Sequence, residues 1–248
     1  MQRKSILFWK LIVVLGFSTL LASCASLPKE TEIPAPVTYT GPRKNIMHSV
    51  APGETFWRIS KMYNVPTATI LSANNMEDST PLKMGQELLI PDAAPVQPVI
   101  TLYPSEKWRY IIIHHSATEQ GTSLSFHHSH LQKGWDRGVG YHFVIDNDKS
   151  GKSDGQIETT PRWLKQEDGA HCKASDMNTK AIGICLVGNF NDDRVTAKQM
   201  ESLTYLVNEL RHYYKIPKKR ILQHGEVEEA LTDCPGNKFP WDTLMQKL

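Results

Sequence analysis

The chain has 248 residues, 40% of them hydrophobic and 22% charged, values that match folded domains and exclude a chain disordered throughout on bulk composition. Its length exceeds the usual single-domain size, so a domain of roughly 150 residues beside a smaller module is expected. A net charge of +2 offers no broad basic face, and the short run Lys215-Ile216-Pro217-Lys218-Lys219-Arg220 reads as a solvated turn after a helix, so no nucleic-acid partner is expected.

Arg3 and Lys4 precede an apolar run from Ile6 to Ala22 that is broken only by Lys10, Gly16, Ser18 and Thr19. The run is slightly short for a spanning helix, which takes about 20 apolar residues, and it ends in small residues as export signals do. Residues 1–23 are therefore read as a signal peptide, with an uncleaved anchor as the alternative. Leu21-Ala22-Ser23-Cys24 resembles the bacterial lipobox, which implies cleavage before Cys24, acylation of that residue and attachment to a membrane. Ala25 follows rather than Asp, and in a Gram-negative cell the lipoprotein sorting pattern then implies the outer membrane, facing the periplasm. Cys172, Cys185 and Cys234 remain. At least one of these stays unpaired in a monomer, and metal binding is a reason to keep a thiol unpaired in an oxidising compartment. Whether Cys172 pairs with Cys185 is left open, because sequence separation does not fix disulfide geometry.

Residues 24–45, with Pro28, Pro34, Pro36 and Pro42 and no sustained period, read as an extended tether. Residues 46–92 read as strand, helix, helix, strand: His48 to Val50, a turn at Pro52-Gly53, a helix after Thr55 with Phe56, Ile59 and Tyr63 on one face, a second helix carrying Ile70 and Leu71, and Glu87 to Ile90. Val50, Pro52-Gly53-Glu54-Thr55, Asn74-Asn75 and Leu82-Lys83-Met84-Gly85-Gln86 with Leu88, Ile90 and Pro91 resemble the LysM module. That resemblance implies a small βααβ domain that binds glycan strands. The proline-containing stretch 93–106 reads as a linker to a second compact segment.

From 107 to 248 the pattern alternates strands and helices, which predicts an α/β domain with a mixed central sheet flanked by helices. Tyr110 to Ile113, Tyr141 to Ile145 and Ala181 to Gly188 are apolar runs of the kind buried on both faces. Thr196 and Gln199 form a capping box ahead of Met200, Leu203, Leu206, Val207 and Leu210. Ile221 to Gln223 is a short strand that leads into His224. Polar residues that end buried strands are the natural site positions: His114 and His224 follow two such runs, and Cys234 lies in a loop closed by Pro235-Gly236. Two imidazoles and a thiolate would leave a tetrahedral zinc one open position, although residue types alone leave unrelated buried or surface side chains as the alternative.

Ile111-Ile112-Ile113-His114-His115-Ser116-Ala117-Thr118, Gly138-Val139-Gly140-Tyr141-His142-Phe143, Gly169-Ala170-His171, His224-Gly225-Glu226 and Thr232-Asp233-Cys234-Pro235-Gly236 occur in one order. Together they resemble the zinc N-acetylmuramoyl-L-alanine amidase superfamily, which includes phage amidases and peptidoglycan recognition proteins. The resemblance implies zinc on His114, His224 and Cys234, catalytic roles for Tyr141 and Thr232, and His171 as a substrate contact that donates a hydrogen bond. It also implies peptidoglycan as partner and hydrolysis of the amide between N-acetylmuramic acid and L-alanine; the rival is a non-catalytic peptidoglycan-binding lipoprotein. In a related branch a catalytic Glu occupies the strand position held here by Cys185, while the ten-residue step from His224 to Cys234 is closer to that same branch. His127, His128 and His130 read as a solvated helix face, His115 as a residue on the opposite face of its strand, and Asp233 as an alternative to Cys234.

Overall fold

The structure, a computed structural model, describes residues 31–32 and 41–248; the export segment, Cys24 and most of the tether lie outside the described residues. The smaller module consists of β2 (Lys44–Ser49), α1 (Phe56–Tyr63), α2 (Thr67–Ala73) and β3 (Glu87–Ala93), with β2 and β3 antiparallel and Met47 opposite Leu89. Thr55 caps α1 by accepting the Arg58 amide at 3.2 Å, and Asn64, in the left-handed region, ends it. Between these stops, Phe56, Ile59, Met62 and Tyr63 turn one face into the core. Asn74 explains its place in the sequence motif: its amide donates to the carbonyls of Ile70 and Leu89, while its Oδ1 accepts the Leu89 amide at 2.8 Å. One side chain thereby joins the end of α2 to β3.

Before and within the linker, β1 (Thr31–Glu32) pairs antiparallel with β4 (Thr101–Leu102). The larger domain follows with β5 (Tyr110–His115), α3 (Ser123–Gln132), β6 (Phe143–Ile145), β7 (Ile157–Thr159), α4 (Pro161–Leu164), α5 (Met177–Lys180), β8 (Ala181–Leu186), α6 (Ala197–Tyr213), β9 (Ile221–Gln223) and α7 (Trp241–Lys247). Its sheet runs β7-β6-β8-β5-β9, parallel except for the antiparallel β6–β7 pair. This is the mixed sheet with flanking helices expected from the sequence. The expected strand at Tyr141 starts only at Phe143, the Tyr141 carbonyl being taken by the Thr160 hydroxyl instead of a neighbouring strand.

The two-residue period of the strands divides the sheet into a packing face and a working face. Ile111 and Ile113, Phe143 and Ile145, and Ile182, Ile184 and Leu186 pack in one apolar cluster with Leu203, Leu206, Val207 and Leu210 of α6. Burying each such side chain contributes roughly 1.5–3 kcal/mol. Their neighbours Ile112, Val144 and Val187 pack in separate clusters elsewhere. The stretch read as a linker is packed into the protein: Val96, Ile100 and Leu102 are buried in the large cluster, and Trp163 Nε1 donates to the Thr101 carbonyl at 2.8 Å.

A buried polar network crosses from the small module to the large domain. Glu54 accepts from the Ala51 amide at 2.7 Å and meets His48 at 2.8 Å; Lys152 donates to the Ser49 carbonyl at 3.4 Å and lies 3.7 Å from Glu158. Glu158 in turn accepts both the amide and the hydroxyl of Ser123, which caps the start of α3 electrostatically. Asp146 is buried against this group: burial first, and the Glu158 charge next, push its carboxyl well above the usual range despite the opposing Lys152 charge. The folded state therefore keeps a proton that the unfolded chain releases near pH 4, and stability falls as pH rises above that point. Asp146→Asn, whose amide replaces the protonated carboxyl, is expected to raise Tm at pH 8 and to leave it nearly unchanged at pH 4. Equal Tm differences at both pH values would show Asp146 to be ionised in the fold.

Candidate active site

His114 is the fifth residue of β5 and 1% exposed, so both ring nitrogens must find partners inside the protein. Its Nε2 lies 3.0 Å from His171 Nδ1, and His171 Nε2 lies 3.3 Å from the Ala181 carbonyl. A carbonyl only accepts, so His171 carries its proton on Nε2 and its Nδ1 is an acceptor. His114 must then be the donor through Nε2, which leaves the lone pair of Nδ1 directed away from His171. That nitrogen lies 3.7 Å from Cys234 Sγ. The His224 ring centroid lies 4.6 Å from that of His114, and one ligand atom from each of His114, His224 and Cys234 falls within 4.8 Å of the others. The sequence-derived ligand set is thus brought together, whereas Asp233 is exposed and stands outside that cluster.

Local folding explains how distant residues reach this point. His224 opens a short turn after β9, and Cys234 returns beside it because the Gly225 amide donates to the Cys234 carbonyl at 2.8 Å. A Cβ on Gly225 would stand 2.5 Å from the Thr232 carbonyl oxygen, so the close return requires glycine. The His115 amide donates to Cys234 Sγ at 3.4 Å. The His115 ring, on the opposite face of the strand as expected, packs 6.0 Å from Phe190 and accepts the Phe190 amide. Thr232 Oγ1 accepts the Cys234 amide at 3.2 Å, which leaves its hydroxyl proton unused at the site's rim.

His171 differs from its expected role. Both of its nitrogens are engaged by protein, so the side chain orients His114 rather than donating to a substrate. Its own backbone is fixed by Asn178, whose Oδ1 accepts the amides of both His171 and Cys172 at 2.8 Å. Behind it, His142 accepts the Gly183 amide and donates to the Glu167 carbonyl. Burial is the leading cause that depresses all these imidazoles: His114 and His171 fall well below the ordinary value, and His142 falls to about 3. Burial also pushes the Cys234 thiol up to about 12, against the bond from the His115 amide. A cation held between these groups would offset that penalty by stabilising the thiolate.

Tyr141 stands 5.3 Å, ring to ring, from His114. Cys185, fully buried on β8 opposite His114, lies close enough to the phenol to act on its ionisation. Burial first, then Cys185 and Cys234, hold the phenol well above its ordinary pKa, so it keeps its proton. Cys172, Cys185 and Cys234 are all free thiols. A cavity of about 570 Å³ adjoins the site, lined among others by Trp135, Arg137, Arg162, His171 and Lys173. The histidines of α3 correct the sequence reading: His128 is exposed, but His130 is buried and accepts the Gly140 amide at 3.0 Å, while His127 accepts that of Val139. Spacing had marked them as a helix face. Only the fold shows that a backbone turn covers it.

Residues 104–237 match the family described as N-acetylmuramoyl-L-alanine amidase, and residues 48–91 match the LysM domain. The chain is 33% identical over 134 residues to an endolysin of Escherichia phage T7, covering 51% of this chain and 79% of the endolysin. It is 28% identical over 146 residues to peptidoglycan-recognition protein SC2 of Drosophila melanogaster, covering 54% and 71% respectively. Among solved structures, N-acetylmuramoyl-L-alanine amidase LysC from Clostridium intestinale is similar at 34% identity with a TM-score of 0.48, over 58% of this chain and 87% of that one. With its family match spanning the strands, Tyr141 and the clustered His114, His224 and Cys234, the chain belongs to the N-acetylmuramoyl-L-alanine amidase family and carries a LysM domain ahead of the amidase domain.

Proposed function

We propose that the protein hydrolyses the amide between N-acetylmuramic acid and L-alanine in peptidoglycan, with zinc held by His114, His224 and Cys234. The observation that carries this reading is the ligand cluster itself, with Tyr141 set against it. Zinc bonds of about 2.0–2.1 Å to nitrogen and 2.3 Å to sulfur at tetrahedral angles put such ligand atoms about 3.5 Å apart, and His114 Nδ1 and Cys234 Sγ lie 3.7 Å apart. The donor set of two imidazoles and one thiolate leaves a position for substrate or water. When bound, zinc supplies Lewis acidity toward the scissile carbonyl and toward water.

The chain's own groups then have separate tasks. His171 fixes the His114 tautomer, and the His115 amide stabilises negative charge on Cys234. Tyr141 keeps its proton on Oη, orients the attacking water and donates to the oxygen on which charge develops. Thr232 directs its unused hydroxyl proton at the same oxygen. Arg137 and Lys173, in the adjoining cavity, favour the carboxylates of a stem peptide. The reading extends to a lipid-anchored envelope protein, attached through Cys24 at the outer membrane and facing the periplasm, with the LysM domain holding glycan strands; the N-terminal sequence supports that extension.

Purified peptidoglycan incubated with the zinc-loaded chain is expected to release free stem peptides, and a chelator should stop the release. Cys234→Ser should lose zinc and activity together. Binding of peptidoglycan without any release by a folded, metal-loaded sample would instead establish a recognition protein. A second prediction concerns Gly183, whose Cβ would collide with the His171 ring. Gly183→Ala is expected to displace His171 and weaken zinc binding by roughly 10–100-fold, as read by chelator competition; unchanged affinity would mean that His171 has no part in orienting His114.

A further inference from the structure

Tyr141 sits at the end of a three-residue turn, Gly138-Val139-Gly140, in which every polar backbone group of Val139 and Gly140 has a partner. The Val139 amide donates to His127 Nδ1 at 3.4 Å, and its carbonyl accepts from Arg162 Nε at 2.7 Å. The Gly140 amide donates to His130 Nδ1 at 3.0 Å, and its carbonyl accepts the Ala170 amide at 2.9 Å. One step further on, the Tyr141 carbonyl accepts from Thr160 Oγ1 at 2.7 Å. Gly138 has φ +66 and a Cβ there would enter the His127 ring, while a Cβ on Gly140 would enter the Ala170 carbonyl and approach Trp135. The glycines therefore allow the turn to lie flat against the histidine face of α3.

His127 and His130 are three residues apart on α3 and so share that face. The His130 bond is the shorter of the two. Its ring is buried, 4.3 Å from Trp135 and 5.9 Å from Tyr141, centroid to centroid. The ring accordingly touches the phenol and holds the backbone one residue before it. An Nδ1 that accepts an amide carries no proton, so the side chain works as a neutral acceptor; burial, with Lys133, Arg162 and His127 nearby, lowers it to about 4 and keeps it in that form at neutral pH.

We propose that His130 is the positioning residue for Tyr141: by accepting the Gly140 amide and packing against the phenol, it sets the hydroxyl at the reacting atoms. The proposal rests on the reading of Tyr141 as the group that touches the substrate, and it accounts for a buried histidine that is outside the ligand set. A hydroxyl displaced by about 1 Å loses roughly 10²-fold in rate, whereas zinc and substrate, held by other residues, remain bound.

The test uses the full, zinc-loaded chain with His130→Asn, His130→Gln, His130→Phe and, as an exposed control, His128→Asn. Asparagine places Oδ1 as many bonds from Cα as Nδ1 and can accept the same amide; glutamine places its acceptor one bond further, and phenylalanine has none. Phe and Gln are expected to lower kcat about 10²-fold with KM and zinc content near those of the unaltered protein, while Asn recovers kcat to within a few-fold and His128→Asn changes nothing. The Gly140 amide resonance should shift and exchange faster with solvent in Phe and Gln but not in Asn. Equal kcat across the His130 variants, with the unaltered protein active, would overturn the proposal, as would a loss in Phe matched by loss of zinc. Inactivity of the unaltered, zinc-loaded protein would instead overturn the hydrolytic reading, and the Gly140 resonance would still report whether His130 holds the turn.

Discussion

A buried neutral imidazole has one proton for two nitrogens, and this molecule is arranged around that constraint. Removing such a ring from water is favourable only if one nitrogen meets an acceptor and the other a donor or a cation. His142 resolves this with the Gly183 amide and the Glu167 carbonyl, and His171 with the Ala181 carbonyl and His114. The order is forced from the inside outward. Once Ala181 fixes the proton of His171, that ring can only accept from His114, and His114 has only Nδ1 left for an electrophile. The lone pair at the site is therefore set by a backbone carbonyl two rings away. Burial drives each ring toward neutrality, which is the form that a metal ligand requires.

The sheet makes this arrangement affordable. Alternation puts Ile111 and Ile113 on the α6 side and His114 on the other, near the strand's end, so the strand that carries His114 is anchored by core packing on its opposite face. Glycine then provides room where side chains from neighbouring segments must lie on the sheet. Gly183 leaves space for His171, and Gly225 admits the return of the chain from Thr232 to Cys234. Both are consequences of ring and backbone volumes and not of flexibility.

This distinction explains what was legible in the sequence. Continuous apolar runs, the capping box at Thr196 and the position of His114 directly after Ile113 are local properties, and the strands, α6 and the cluster of His114, His224 and Cys234 follow them. The flanking motifs, matched in order, supplied what residue types alone left open. Roles that depend on pairs far apart were invisible: His171 reaches His114 across 57 residues, and Lys152 reaches Ser49 across 103. His130 misled for a related reason. Three histidines among serines on one helix resemble a wetted face, and the signal that contradicts this is the Gly138-Val139-Gly140 turn, whose glycines mark a close approach without naming the surface approached. The prolines of the linker marked a boundary between compact segments but not its packing, for which Val96, Ile100 and Leu102 give it a face to bury.

Under the proposed function, that buried linker bears on how two modules act on one polymer. A free tether would let a glycan-binding module and an amidase site sample many separations, and binding by the first would then raise the local substrate concentration without fixing its orientation. Here the modules share an apolar cluster, and the junction also contains the Glu54, Lys152 and Glu158 charges, removed from water. Burying a lone charge costs several kcal/mol, and parting the modules takes the Ser49 carbonyl and the Glu54 charge away from the buried Lys152, so it is resisted. The α3 helix begins on Glu158 through Ser123, and its middle and last turn carry His127 and His130 beneath the segment before Tyr141. One short helix thus spans from the module junction to the phenol, so the contacts that hold the LysM domain in place and those that set Tyr141 are parts of the same packed structure.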